Sequence, residues 1–179
     1  MEKYVSFSIG KLRFIDSLGF LPPSLETLSD SLSQNGLEPF VHFQDEIKEH
    51  SNLLLRKGVY PYEYVSDFLK FVEEKLPPRE HFYSSLTGET ITIKEYEHAM
   101  NVFKTCKLKI LGEYHDLYLK TDVLLLADVF ENFRNMSMKN YSLDPCHFYT
   151  SPGLSWQAML KMTGVCLELM TDIDQALFI

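Results

Sequence analysis

The sequence YHDLYLKTDVLLLADVF, Tyr114–Phe130, carries the strongest helical pattern in the chain. Its apolar residues recur every three or four positions and cover more than one side, and neither Gly nor Pro interrupts it. This pattern predicts a long α-helix, about Glu113–Asn140, that is packed on two sides. Tyr118 and Asp122 are four residues apart within it, so one helical turn places both side chains on the same side.

The Tyr118–Asp122 spacing has two interpretations. A carboxylate can bind Mg²⁺ directly, and a phenol one turn away can hold an attacking water, the two tasks that two-metal phosphodiester hydrolysis requires. Alternatively, the pair lies at the polar edge of an ordinary helix, and a chain with ten tyrosines produces such a spacing by chance. Taken alone, the spacing favours the polar-edge interpretation.

The N-terminal half contains a predicted β-hairpin and two predicted helices. Apolar and polar residues alternate on both sides of Gly10-Lys11, which indicates a hairpin near residues 3–16. Ser24 is a suitable N-cap for a helix whose leucines share one face, and Gly36 is expected to end it. A second helix is expected around Gln44–Leu54.

The C-terminal half is predicted to be helical. Thr92 and Glu95 have the spacing of a capping box, which predicts a helix start at this point. Gly112 is expected to separate that helix from the long one, and a last helix is expected to start near Ser155. The expected fold class is therefore mixed α/β, helix-rich, with the hairpin as its main β element.

Composition narrows the class of protein. Of 179 residues, 45% are hydrophobic and 13% aromatic, which suits a packed core. The net charge of −8 argues against a domain that simply coats nucleic acid. The three cysteines are widely spaced and include no CxxC pair, so a reducing, intracellular setting is expected. The longest apolar run, Val123–Ala127, is far below the roughly 20 residues that span a bilayer.

Several blocks of the sequence together resemble one protein family. YLKTD, Tyr118–Asp122, resembles the third exonuclease motif, Tyr-x-x-x-Asp, of family B DNA polymerases. The similarity is to the protein-primed branch of bacteriophages, linear plasmids and Polinton or Maverick mobile elements. Four further blocks resemble the Polinton-type polymerase in the same order, so that the resemblance covers essentially the whole chain. They are RFIDSLGFLPPSLETL, LLRKGVYPYEY, KLPPREHFYSSL and DPCHFYTSPGLSWQAMLKMTGV.

The resemblance implies roles for five residues. Asp122 would be a carboxylate ligand of Mg²⁺ or Mn²⁺ in a proofreading 3′→5′ exonuclease, and Tyr118 would orient the hydrolytic water. Lys57 would steady the scissile phosphate, with a solvated loop lysine as the alternative. Ser17 and Leu18 match the motif that contacts the single-stranded primer end; the alternative is a turn in which Ser17 only bonds backbone.

Other candidate residues receive no catalytic role. Asp16 is assigned to the primer-contact block, because the family's second exonuclease motif normally has an asparagine shortly before its Phe-Asp pair and none precedes Phe14. Asp128 is expected to be structural. Tyr60, Tyr62 and Tyr64 could stack on bases, although tyrosines beside a Pro turn more often pack the loop down.

The chain also departs from the family pattern. The first two exonuclease motifs are absent, and so are the polymerase carboxylate motifs Asp-x-x-Ser-Leu-Tyr-Pro and Asp-Thr-Asp. An internal fragment is therefore expected, which is inactive by itself and binds Mg²⁺ or Mn²⁺ only as part of the full-length enzyme. Residues 1–141 would be the C-terminal portion of a ribonuclease H-like 3′→5′ exonuclease domain, and residues 142–179 the helical connection to the polymerase palm.

The resemblance implies a protein-primed DNA-directed DNA polymerase with proofreading. Its partners would be DNA, deoxynucleotides and a terminal priming protein, without a membrane, and the nucleus is one candidate compartment. The alternative is a non-catalytic remnant that acts as a DNA- or protein-binding module. An unrelated helical interaction domain is disfavoured by the ordered blocks.

Overall fold

The computed structural model describes residues 6–34 and 36–168. The chain divides into two compact units. The central unit is Pro23–Asn132, and the terminal unit combines the described residues of Met1–Pro22 with those of Phe133–Ile179.

The terminal unit begins with the predicted hairpin. Strand β1, Ser6–Ile9, pairs antiparallel with β2, Leu12–Ile15, and forms the one sheet of the described part of the chain. Gly10 has a φ of 60°, the left-handed conformation that a two-residue hairpin turn needs and glycine tolerates. The predicted hairpin is confirmed over these residues, and residues 3–5 lie outside the described part.

The first helix of the central unit begins as predicted, whereas the prediction of a single second helix is wrong. Helix α1, Leu25–Ser33, is capped by Ser24, whose Oγ accepts a hydrogen bond from the backbone N–H of Thr27 at 3.3 Å. Two short helices, α2 (Val41–Glu46) and α3 (Ser51–Leu54), replace the single helix expected over Gln44–Leu54. The left-handed backbone of His50, with a φ of 61°, interrupts the helical hydrogen bonds between them.

The predicted capping box is present. Helix α4, Ile93–Thr105, begins after Thr92, whose Oγ1 accepts from the N–H of Glu95 at 3.3 Å. The Glu95 carboxylate accepts in return from the N–H of Thr92 at 2.7 Å. Two backbone donors that a helix start would otherwise leave unpaired are therefore satisfied.

Helix α5 is the predicted long helix, and it contains both Tyr118 and Asp122. It runs over Leu111–Tyr141, so Gly112 lies inside it and does not separate it from α4, contrary to expectation. A Cβ at position 112 would lie 3.2 Å from the carbonyl oxygen of Phe71. Glycine therefore allows the backbone near Phe71 to approach the first turn of α5.

The last helix, α6, is Ser151–Thr163 and begins four residues earlier than expected. Proline in its first turn has no N–H to lose there, which favours the earlier start. Gly164 ends it with a φ of 65°.

The core of the central unit is aromatic and aliphatic. Its most buried side chains come from the segment around α2 and α3, from α4 and from α5, and include Phe40, Phe43, Leu54, Val102, Leu111 and Leu125. Asp128 is fully buried beside them and accepts hydrogen bonds from the backbone N–H groups of His42 (2.9 Å) and Phe43 (2.8 Å). Asp128 therefore caps α2 from another helix, the structural role expected of it.

The two compact units divide inside α5, between Asn132 and Phe133, rather than at its C-terminal end. The boundary at residue 141 between an exonuclease-like portion and a connection to the palm stays a prediction, because compactness alone does not identify either part. A mixed, helix-rich fold with a small sheet is confirmed. Within residues 6–34 and 36–168, no helix combines the length and the apolar character needed to cross a bilayer.

Candidate functional site

Asp122 is the most unusual polar group of the central unit. It lies half-buried on α5, one turn after Tyr118, and its Oδ1 atom is buried without a hydrogen-bond partner among the described residues. A buried carboxylate oxygen without a partner is costly in an ordinary protein interior. Such an oxygen atom is suited to bind a cation or to accept a hydrogen bond from a water.

Opposing effects act on the Asp122 carboxylate. Burial is the largest and raises its pKa, because burial disfavours the charged form. The nearby Tyr118 hydroxyl and the positive charge of Lys57 lower the pKa without cancelling the effect of burial. The structure therefore brings together Asp122, Tyr118 and Lys57, three of the residues predicted from the sequence.

The Tyr118 hydroxyl is held by a second tyrosine that the sequence interpretation did not assign. The hydroxyls of Tyr118 and Tyr62 are 2.5 Å apart, although 56 positions separate these residues along the chain. Tyr118 is only 9% exposed, whereas Tyr62 is 65% exposed. Burial, the hydrogen bond with Tyr62 and the charge of Asp122 all raise the pKa of Tyr118, so its hydroxyl stays protonated at neutral pH.

The segment that carries Lys57 and Tyr62 contacts α5 through its backbone at Gly58 and Val59. A Cβ on Gly58 would lie 3.2 Å from the ring of Tyr118, so the backbone lies directly against this ring. The Tyr114 hydroxyl donates a hydrogen bond to the carbonyl oxygen of Val59 at 2.7 Å. These contacts place the loop beside the Tyr118–Asp122 turn of the helix.

The loop tyrosines have different environments. Tyr60 packs down against α5, with its ring stacked on Tyr118 at a centroid distance of 5.0 Å. Tyr64 packs elsewhere: its hydroxyl donates to Glu73 at 2.7 Å and its ring lies 4.7 Å from His81. The clustering of tyrosines was visible in the sequence, but nothing local indicated which of them would reach Tyr118.

Ser17 and Leu18 belong to the terminal unit, in a 3₁₀ turn over Ser17–Gly19. The carbonyl oxygen of Ser17 accepts from Phe20 and Leu21, each at 3.0 Å. Leu18 is 57% exposed, and its N–H donates to Asp16 at 2.9 Å. Asp16 therefore caps this turn, and the exposed Leu18 side chain is accessible to a ligand.

The metal-binding capacity of the site is small. Among residues 6–34 and 36–168, no three His, Cys, Asp or Glu side chains are grouped so that they could hold a metal ion. Asp122 offers one carboxylate, while Mg²⁺ requires octahedral coordination by oxygen and usually keeps several waters. The orphaned Oδ1 fits one position of such a metal site.

Comparison with known proteins identifies the family. No curated protein and no solved structure matched the chain. The family model described as DNA polymerase type B, organellar and viral, matches residues 2–171, nearly the whole sequence. The chain therefore belongs to the organellar and viral type B DNA polymerases, a family of enzymes whose substrates are DNA and deoxynucleotides.

Proposed function

We propose that this chain contributes part of the 3′→5′ proofreading exonuclease site of a type B DNA polymerase. The observation that carries this proposal is the buried, unpartnered Oδ1 of Asp122 beside the Tyr118 hydroxyl and the charge of Lys57. If Asp122 lay at the polar edge of an ordinary helix, its carboxylate would be in water and its oxygens would be solvated.

Asp122 is proposed as a ligand of Mg²⁺ or Mn²⁺ together with carboxylates from outside this sequence. The metal would stabilise the charge that develops on the scissile phosphate. Burial prepares Asp122 for this role, because a carboxylate without sufficient partners gains most from a cation. The site residues present fit one ligand position and no more.

Tyr118 is proposed to hold the hydrolytic water by a hydrogen bond. Its raised pKa keeps the hydroxyl protonated, so it acts through orientation and not as a general base. Tyr62 fixes the direction of that hydroxyl through their 2.5 Å contact.

Lys57 is proposed to contact the scissile phosphate, and Ser17 and Leu18 the single-stranded primer end. The positive charge of Lys57 lowers the pKa of the Asp122 carboxylate, and this supports a role for Lys57 in opposing charge on a phosphate bound there. The exposed side chain of Leu18 can pack on a base, and the Ser17 hydroxyl can bond a phosphate or sugar.

The wider proposal concerns the polymerase to which this sequence contributes. The order of its sequence blocks supports the protein-primed branch, with DNA, deoxynucleotides and a terminal priming protein as partners. Residues 1–141 would complete a ribonuclease H-like exonuclease domain, and residues 142–179 would connect it to the palm. The setting would be intracellular, with the nucleus as one candidate compartment.

The test removes Asp122 from a polymerase that joins this sequence to the other exonuclease and polymerase motifs, here termed the complete polymerase. Asp122→Ala should slow digestion of a mismatched 3′ end roughly a thousandfold, because a metal ligand is lost. Extension of a matched primer should be unchanged. The control Asp116→Ala removes an exposed carboxylate from the same helix and should digest normally.

A competing function is a non-catalytic DNA- or protein-binding module. That function requires no carboxylate at position 122. Parental digestion rates in the Asp122→Ala complete polymerase would therefore refute the exonuclease proposal and favour the binding module.

A further inference from the structure

Tyr118 is enclosed on its ring as well as at its hydroxyl. Tyr60 stacks on the ring with a centroid distance of 5.0 Å and an interplanar angle of 27°. The backbone at Gly58 also lies close to the ring, because a Cβ at this position would be 3.2 Å from it. Stacked aromatic rings contribute packing that depends on their orientation, so Tyr60 restricts the orientation of Tyr118.

Tyr60 is in turn tied to the helix that carries Tyr118. Its hydroxyl lies 2.9 Å from Nδ1 of His115, which precedes Tyr118 by three residues on α5. Residues three apart on a helix lie on neighbouring positions of one face. The contacts therefore form a closed circuit from Tyr118 through Tyr60 to His115 and back along one turn of α5.

His115 is itself held in place. Its ring packs against Phe71 at a centroid distance of 4.8 Å and against Tyr60 at 5.3 Å. The Tyr60 hydroxyl can donate to Nδ1 of His115 or accept from it, depending on the imidazole tautomer.

We propose that Tyr60 and His115 are positioning residues, a hydrogen-bonded pair that fixes the ring of Tyr118 so that its hydroxyl meets the water beside Asp122. This inference rests on the proposed exonuclease function. The pair acts only through Tyr118 and does not touch the reacting atoms. Tyr62 differs from the pair because it bonds the Tyr118 hydroxyl directly.

The first test measures digestion of a mismatched 3′ end by the complete polymerase. Tyr60→Phe and His115→Leu each remove the same hydrogen bond, so each should lower kcat about threefold to fivefold without changing KM. The double variant should be no slower than either single variant, because the two residues act as one unit. His115→Asn, whose amide can place a polar atom near the position of Nδ1, should recover most of the rate.

A second comparison separates positioning from general support of the fold. In a Tyr118→Phe background, Tyr60→Phe and His115→Leu should have no further effect, because the hydroxyl they position is gone. Tyr64→Phe and His81→Leu alter another tyrosine–histidine ring pair of the central unit and should leave kcat unchanged. A further loss of rate in the Tyr118→Phe background would overturn the proposal.

A third measurement does not depend on catalysis. In the 179-residue chain with ¹³C-labelled tyrosine rings, Tyr60→Phe and His115→Leu should shift the Tyr118 ring resonances and speed its ring flips, while Tyr64→Phe should not. Unchanged Tyr118 resonances in both variants would overturn the positioning role. Failure of Asp122→Ala to slow digestion would overturn the exonuclease function instead, so the two failures are distinguishable.

Discussion

The burial of Asp122 lowers the stability of the fold, and its position suits a ligand of a metal ion. Its carboxylate is partly removed from water, and its Oδ1 finds no partner in the described part of the chain. Natural proteins retain such groups mainly at functional sites, where stability is lost in exchange for activity. The effect of burial on Asp122 can be measured without catalysis.

Asp122→Asn should stabilise the chain at neutral pH. The pKa of Asp122 is raised in the folded state, so the folded protein holds its proton more tightly than the unfolded chain. Its ionised form therefore destabilises the fold above this raised pKa, and the penalty disappears as the pH falls below the unfolded value of about 3.9. Thermal unfolding should show a higher Tm for the variant at pH 7 and a shrinking difference toward pH 4. A lower Tm at pH 7 would contradict the assignment of burial as the dominant effect.

Removal of the Tyr118 hydroxyl should slow digestion more than removal of the Tyr62 hydroxyl. In the complete polymerase, Tyr118→Phe should slow removal of a mismatched 3′ end about tenfold, since one hydrogen bond to the water is lost while the metal ligand remains. Tyr62→Phe should slow it less, because Tyr62 only directs the Tyr118 hydroxyl. Rates of digestion and of matched-primer extension check both variants. A larger effect for Tyr62 than for Tyr118 would show that their assignments must be exchanged.

At the scale of elements, α5 organises the central unit through polar contacts over long sequence separations. Asp128 caps α2, and Asn132 donates to the carbonyl oxygen of Pro39 at 2.8 Å. Tyr114 holds the loop at Val59. One helix therefore anchors both α2 and the segment that carries Lys57, and this brings three candidate site residues together.

Asp128→Ala should destabilise the central unit by about 2–4 kcal/mol. The substitution removes a cap and leaves the N–H groups of His42 and Phe43 without their partner in a buried setting. Urea unfolding at pH 7 measures the change in free energy of unfolding. The exposed control on the same helix, Asp116→Ala, should change it by less than about 0.5 kcal/mol. Equal effects of the two variants would show that the α2 cap contributes nothing.

At the scale of the whole molecule, residues 6–34 and 36–168 contain no group of three side chains that could hold a metal ion, and Asp122 is the ligand proposed here. The chain alone should therefore release no nucleotides from a labelled single strand, and it should not polymerise deoxynucleotides. Millimolar Mg²⁺ should leave its Tm unchanged, because a ligand stabilises a fold only when it binds the folded state appreciably. Nucleotide release that Asp122→Ala abolishes would contradict this prediction.

The elements that the sequence predicted correctly depend on neighbours within a few residues. The Gly10 turn, the Ser24 cap, the Thr92–Glu95 capping box and the long helical pattern after Gly112 are all local patterns, and the structure shows each of them. Tyr118 and Asp122 could be paired because a single helical turn relates them. Local sequence was sufficient wherever the stabilising partner lay within one turn or one hairpin.

Tertiary structure decided the features whose partners are distant in sequence. The chain forms two separate helices here, and each carries a core residue, Phe43 in α2 and Leu54 in α3. Helix α2 is capped by Asp128, which lies 85 residues beyond Phe43 in the sequence. The Tyr62–Tyr118 hydrogen bond and the isolation of Asp122 Oδ1 likewise require the loop to fold back on α5. The sequence alone determined which side chains share a helical face. Only packing determined which of them are buried and which partner each one meets, because burial and hydrogen bonding depend on segments that no local pattern relates.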